Sequence, residues 1–194
     1  MMKLIFATQN QNKVKELQQL MPSQIELLSL KDINCNHDIP ETALDLQGNA
    51  TQKSDYVVKK FKVNCFADDT GLEIEALNNE PGVLSARYAG PQKDANDNMD
   101  LVLDNLKNES NRKARFRTVI SLVVNGEEHL FEGEAKGEII AQKCGVDGFG
   151  YDPIFKPEGH NITFAEMSLE DKNKISHRGK AVRKLINFLE GYNA

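Results

Sequence analysis

The segment from Ala114 to Ala141 constrains the fold more than any other part of the chain. Ala114 to Val124 and Leu130 to Ala141 both alternate apolar and polar residues, and Asn125-Gly126 sits near the turn between them. Asn-Gly readily supplies the positive φ values of a tight turn, so the spacing predicts a long antiparallel hairpin. A hairpin of that length needs a covering layer on at least one face. The flanking sequence supplies helices for it. Val14, Leu17, Leu20 and Met21 recur at helical spacing before Pro22; Ala50, Val57, Val58 and Phe61 do so again. Further helical stripes are Met99, Val102, Leu103 and Leu106, and Val182, Leu185, Ile186 and Leu189 near the end. Leu4 to Ala7 and Val63 to Ala67 are short continuous apolar runs of the kind buried strands show. Glu80-Pro81-Gly82 reads as a turn, and Ser85 to Pro91 as a loop. Alternating strands and helices, an inserted hairpin and closing helices predict an α/β protein with a mixed sheet covered by helices.

Nothing divides the chain. Its 194 residues carry no repeat, low-complexity tract or flexible linker, so residues 1–194 read as one domain, with room for two lobes. A net charge of -5 and the lack of a Lys/Arg block exclude a general nucleic-acid binder. Cys35, Cys65 and Cys144 are odd in number and show no CxxC spacing, which favours a reducing compartment over a zinc site. The run Leu4 to Ala7 is too short for a signal segment or a membrane span. The expectation is a cytoplasmic protein with no membrane partner.

Three constellations carry chemistry. Thr8-Gln9-Asn10-Gln11-Asn12-Lys13 joins a strand end to a helix start, where free N–H groups, the helix dipole and a lysine would attract phosphate. The alternative is an Asn helix cap beside a solvated lysine. Asp68 and Asp69 stand together at the end of an apolar strand, where bare carboxylates repel and a hard cation would relieve them; Glu41 is a third candidate ligand. Asp-Asp-Thr-Gly is equally good turn chemistry. Gly148-Phe149-Gly150-Tyr151-Asp152-Pro153 combines glycines with two aromatic rings, and Ser176-His177-Arg178-Gly179 adds N–H donors. Together these suit a flat heterocycle that bears oxygens. The alternative is that the rings simply pack in a core and that the cations, Lys53 and Lys172 among them, are solvated.

In chain order these segments resemble the inosine triphosphate pyrophosphatase family. The resemblance runs through Ala7-Thr8-x-Asn10-x-x-Lys13, Glu41-Thr42, Asn49-Ala50-x-x-Lys53, Ala67-Asp68-Asp69-Thr70-Gly71-Leu72, Pro81-Gly82-x-x-Ser85-Ala86-Arg87-Tyr88, Gly148 to Phe155 and Ser176 to Gly179. It implies an elongated, two-lobed mixed α/β fold with a twisted sheet, an active site in the cleft between lobes, a homodimer and a requirement for magnesium. It implies that Thr8, Gln9, Asn10, Gln11, Asn12, Lys13 and Lys53 hold the phosphates and that Thr70 contacts substrate. Glu41, Asp68 and Asp69 would hold metal, with Asp69 also accepting the proton of the attacking water. Phe149, Gly150, Tyr151, Asp152, Lys172, His177 and Arg178 would enclose the base.

The implied reaction is attack of water on the α-phosphorus of inosine, deoxyinosine or xanthosine triphosphate, releasing pyrophosphate and a nucleoside monophosphate. The family pattern has an aromatic residue and a glutamate ahead of Asn49-Ala50, and an alanine after Lys53; here Leu46, Gly48 and Ser54 stand instead. Two rival readings are a phosphatase that forms an aspartyl-phosphate and a nucleotide sensor without turnover. The first wants an acid two residues after its nucleophile, and Thr70 holds that place after Asp68. The second would bind nucleotide without needing metal.

Overall fold

The computed structural model describes residues 2–36 and 38–192. Its strands are β1 (Met2–Phe6), β2 (Ile25–Ser29), β3 (Cys65–Ile74), β4 (Glu80–Gly82), β5 (Lys113–Val124), β6 (Glu127–Ile139) and β7 (Phe155–Pro157). The helices are α1 (Gln11–Gln18), α2 (Leu46–Phe61), α3 (Ala95–Asn105), α4 (Leu169–Ile175) and α5 (His177–Tyr192). The strand order is β2-β1-β3-β5-β6-β7, with β4 paired to β3. β1 runs parallel to β2 and β3, whereas β3–β4 and β6–β7 are antiparallel, so the sheet is mixed as the sequence implied. The chain divides into two compact units. The first comprises Met1–Asp69, Thr118–Gly133 and Arg178–Ala194, the second Thr70–Arg117 and Glu134–His177.

Within the first unit, β1 is buried on both faces, which explains its unbroken apolar run. Leu4 and Phe6 face Leu17 of α1 and Ala181, Val182, Leu185 and Leu189 of α5. Ile5 and Ala7 face the opposite way, into a cluster with Cys65, Ala67 and Val57 of α2. The register places Phe6 beside Phe66, and their rings stack at 4.6 Å. The second unit has its own core, in which Leu72, Ile74, Met99, Val102, Phe116, Ile139, Phe155 and Phe164 meet. The three cysteines are free thiols. Among the described residues no helix is long and apolar enough to cross a membrane.

Two readings of the sequence change here. Asp68-Asp69-Thr70-Gly71 is not a turn after a strand but the middle of β3, which continues through Leu72 and Ile74, both fully buried. Gly71 permits this because a Cβ there would lie 2.6 Å from the carbonyl oxygen of Gly82 on β4. Glu80-Pro81-Gly82, expected as a turn, is that paired strand. β2 and β7 were not anticipated; β2 has a mixed rather than alternating burial pattern, and β7 has only three residues.

Candidate active site

β1 pairs with β2 on one side and β3 on the other, and all three run parallel. The chain reverses direction of travel across the sheet at β1, so the carboxyl end of β1 and the adjoining stretch of β3 mark a topological switch point, where open α/β sheets place their ligands. At that point Ala7 N–H donates to the Phe66 carbonyl at 2.8 Å. The next residues on the two strands lead to the loop before α1 and to the acidic pair Asp68-Asp69.

Asn10 caps α1, its side-chain oxygen accepting from the backbone N–H of Asn12 and Lys13 at 3.0 and 3.4 Å. The cap expected from sequence is therefore present, but Lys13 is not solvated. Its ammonium donates to Asp68 Oδ1 at 2.8 Å, and burial lowers its pKa despite that carboxylate. Thr8 accepts from the Asn10 N–H, while Gln9, Gln11 and Asn12 are exposed on the same loop and first helical turn.

Asp68 is 2% exposed and sits between two cations. Its second oxygen accepts from Arg178 Nε at 3.3 Å. Burial alone would raise this carboxyl; Lys13, Arg178 and Lys53 together hold it well below the usual carboxylate range. The outcome is opposite at Asp69, where burial outweighs Lys53 and Lys13 and the pKa is raised. Asp69 accepts from Asn49 Nδ2 at 3.0 Å and lies 3.7 Å from Lys53 Nζ. Lys53 also donates to Glu41, and although burial opposes its charge, Asp69, Glu41 and Asp68 raise its pKa.

Glu41 is brought there by a loop that folds back on α2. Thr42 N–H donates to Gln52 Oε1 at 2.9 Å, and Ala43 N–H to Asn49 Oδ1 at 3.0 Å. Gly48 makes room for that loop, since a Cβ at this position would sit 2.6 Å from the Ala43 Cβ. The departure from the family pattern at Gly48 thus coincides with a close approach. Asn49 and Lys53, one helical turn apart, point the same way because residues four apart share a helix face.

The donor set of Glu41, Asp68 and Asp69 is all oxygen, which suits a hard divalent cation. Among the described residues no three His, Cys, Asp or Glu side chains are gathered into a metal cage. The carboxylates are instead paired with lysines. The residues present fit magnesium by the chemistry of their donors, which are all carboxylate oxygens.

The second unit holds another polar centre. Lys172 Nζ donates to Asp152 Oδ2 at 2.7 Å, both side chains being almost fully buried. The same oxygen accepts from the Phe149 N–H at 2.8 Å, and the ammonium lies 4.9 Å from the Phe149 ring. Gly150 and Gly148 take positive φ values that let this loop wrap Asp152. Tyr151 is a core residue whose hydroxyl donates to the Ser85 carbonyl. His177 is 3% exposed and stacks on Phe116 at 4.5 Å. Thr70 is half-buried in β3.

Arg178, grouped with His177 by adjacency in sequence, is placed differently. It is 2% exposed and its Nη1 donates to Glu16 Oε2 at 2.5 Å while Nε reaches Asp68, both in the first unit. Glu16 was not anticipated as a site residue. It lies outside the apolar stripe of Val14, Leu17, Leu20 and Met21, and its partner is 162 positions along the chain, so no local signal marks it.

The chain matches the Ham1 family over residues 4–188. A Flavobacterium psychrophilum protein named dITP/XTP pyrophosphatase is 57% identical over 189 residues, covering 97% of this chain and 100% of that one. A Bacillus subtilis protein of the same name is 42% identical, covering 98% of each chain. Among solved structures, a Ham1 protein from Coxiella burnetii has a TM-score of 0.91 at 36% identity, covering 98% of this chain and 100% of that chain. The Staphylococcus aureus Ham1 protein has a TM-score of 0.89 at 38% identity, covering 98% and 99%.

Proposed function

The chain belongs to the Ham1 family, and from that premise we propose that it hydrolyses deaminated purine nucleoside triphosphates, those of inosine, deoxyinosine and xanthosine, to the monophosphate and pyrophosphate. Relatives named dITP/XTP pyrophosphatase that align over nearly the whole chain support the substrate class. The observation that carries the reaction type is the adjacent pair Asp68-Asp69 in the middle of β3, beside the carboxyl end of β1, with Lys13 on Asp68, Lys53 on Asp69 and the Asp69 pKa raised by burial.

A carboxylate whose proton affinity has been raised by burial is a stronger general base than an ordinary one. Asp69 takes a proton from water as its oxygen bonds to the α-phosphorus; the bond from phosphorus to the bridging oxygen breaks, and pyrophosphate leaves with the electron pair. Lys13 and Lys53 hold the phosphates and balance the charge that builds on the leaving group. Asn49 fixes the orientation of the Asp69 carboxylate through its 3.0 Å hydrogen bond. Asp68, kept ionised by Lys13 and Arg178, stays an acceptor throughout. Glu41, Asp68 and Asp69 would hold magnesium, which when bound supplies further neutralisation of the triphosphate. For the purine we assign Phe149, as a stacking face, and the Lys172–Asp152 pair, as donor and acceptor. His177 and Tyr151 support that loop from the core.

A panel of nucleoside triphosphates, with orthophosphate and pyrophosphate assayed separately and magnesium varied, tests the proposal. Release of pyrophosphate from inosine and xanthosine triphosphates, with adenosine triphosphate a poor substrate, is the expected result. Orthophosphate release from the γ position, or binding without turnover, would overturn it. In the cell we place the protein in the cytoplasm, acting as a homodimer; light scattering at twice the 21.7 kDa of one chain is the expected mass.

A further inference from the structure

The face of α2 that turns away from Asp69 carries a polar network that the reaction does not use. Ser54 and Ser121 are both fully buried, and their hydroxyls lie 2.6 Å apart, joining α2 to β5. Ser121 donates to Glu128 Oε1 on β6 at 2.7 Å, and Thr51 of α2 donates to the same oxygen at 2.6 Å. A hydroxyl has one proton. Since Ser121 gives its proton to the carboxylate, the 2.6 Å link takes the Ser54 proton, with the Thr51 carbonyl a longer second acceptor at 3.1 Å, and the links run from Ser54 to Ser121 to Glu128, with the Thr51 hydroxyl converging on the same acceptor. Bonds that end on an ionised group are the stronger kind, and such chains polarise one another.

We propose that Thr51, Ser54, Ser121 and Glu128 are positioning residues that set the rotation and advance of α2 on the sheet, and so the placement of Lys53 against the phosphates. Leu46, Ala50 and Val57 are the buried apolar residues of α2, with Tyr56, Val58 and Phe61 packed half-buried against the same core, and apolar contacts of this kind are non-directional. Hydrogen bonds are directional and add a preferred orientation. Lys53 is the residue before Ser54 and only two after Thr51, so any roll of α2 about its axis displaces its ammonium directly. Small misplacements of a phosphate-holding group are costly in rate. At position 54 an alanine, the residue of the family pattern, could make no such link; here the serine does.

This inference rests on the reading of Lys53 as a phosphate-holding residue, and a double-mutant cycle separates the two. Ser54→Ala is combined with Lys53→Met, and kcat/KM for inosine triphosphate is measured for the four proteins. If Ser54 acts through Lys53, Ser54→Ala lowers kcat/KM by about tenfold alone and by under about twofold when Lys53 is already methionine. An equal loss in both backgrounds overturns the proposal, because a role in stability alone would carry over unchanged. Full activity of Lys53→Met overturns the assignment of Lys53, and the positioning role with it. Glu128 is exposed, so its variants leave the core intact. Glu128→Gln keeps an oxygen that accepts both hydroxyls and should stay within about twofold of the parent, whereas Glu128→Ala should lose about fivefold. Equal activity of these two variants would also overturn the network.

Discussion

Asp69 and Arg178 show how burial gives single residues opposite tasks. Replacing Asp69 by asparagine keeps its shape and its contact with Asn49 but removes the base. Turnover of inosine triphosphate should fall by about two to four orders of magnitude with magnesium saturating. Steady-state kinetics checks this, and near-parental rates would remove Asp69 from the chemistry. Arg178 is a different case, because its guanidinium lies between Glu16 and Asp68 with all three side chains buried. Arg178→Ala takes the buried guanidinium from Glu16 and one of the two cations from Asp68, which keeps Lys13, and should destabilise the fold by about 3–5 kcal/mol. Urea denaturation measures it; a loss below about 1 kcal/mol would show that the carboxylates find other partners.

At the scale of elements, the segment Gly148–Asp152 depends on glycine for two separable reasons. Gly148 has φ +75° and a Cβ there would meet Asp152 Oδ2 at 2.2 Å, whereas Gly126 has φ +86° with open space around it. Alanine at 126 should therefore cost only the left-handed conformation, about 1–2 kcal/mol. Alanine at 148 adds the displacement of Asp152 from Lys172 and from the Phe149 N–H. Gly148→Ala should raise KM for inosine triphosphate by about tenfold or more while Gly126→Ala leaves KM unchanged, with thermal melts reporting the stability of each. Equal KM values for the two variants would show that the Asp152 pair plays no part in binding the base.

For the molecule as a whole, the raised pKa of Asp69 has a consequence for stability in the absence of metal. The folded state holds this proton more tightly than the unfolded chain, so burying the ionised form is a cost. That cost is fully present above the folded pKa and disappears as pH falls below the unfolded value. Asp69→Asn should raise the Tm of the metal-free protein at neutral pH, and the gain should vanish as pH falls through the carboxylate range. The sign is reversed for Asp68, whose depressed pKa contributes stability above its unfolded value that is lost as pH falls through the folded one. Melting curves in a chelator from neutral to acid pH, for the parent and Asp69→Asn, separate the two. A gain that persists unchanged in acid would mean that ionisation is not its source.

The hairpin of β5 and β6, the buried run of β1 and the helical stripes of α2, α3 and α5 could be read directly, because pleat and helix periods are local properties of a sequence. Asn10 as a cap and the segments that mark the Ham1 family could be read for the same reason. The continuation of β3 through Asp68-Asp69 could not, since it depends on β4 folding back to pair with it and approaching Gly71 closely, which residue types that read as turns do not announce. Nor could the partners of the charged residues. Lys13 to Asp68 spans 55 positions and Arg178 to Glu16 spans 162, and no periodicity extends that far. Residue types and their order determined which chemistry this chain carries. The tertiary structure decided which carboxylate is held ionised and which is pushed toward a base, because desolvation and the nearest opposite charge exist only once distant segments are packed together.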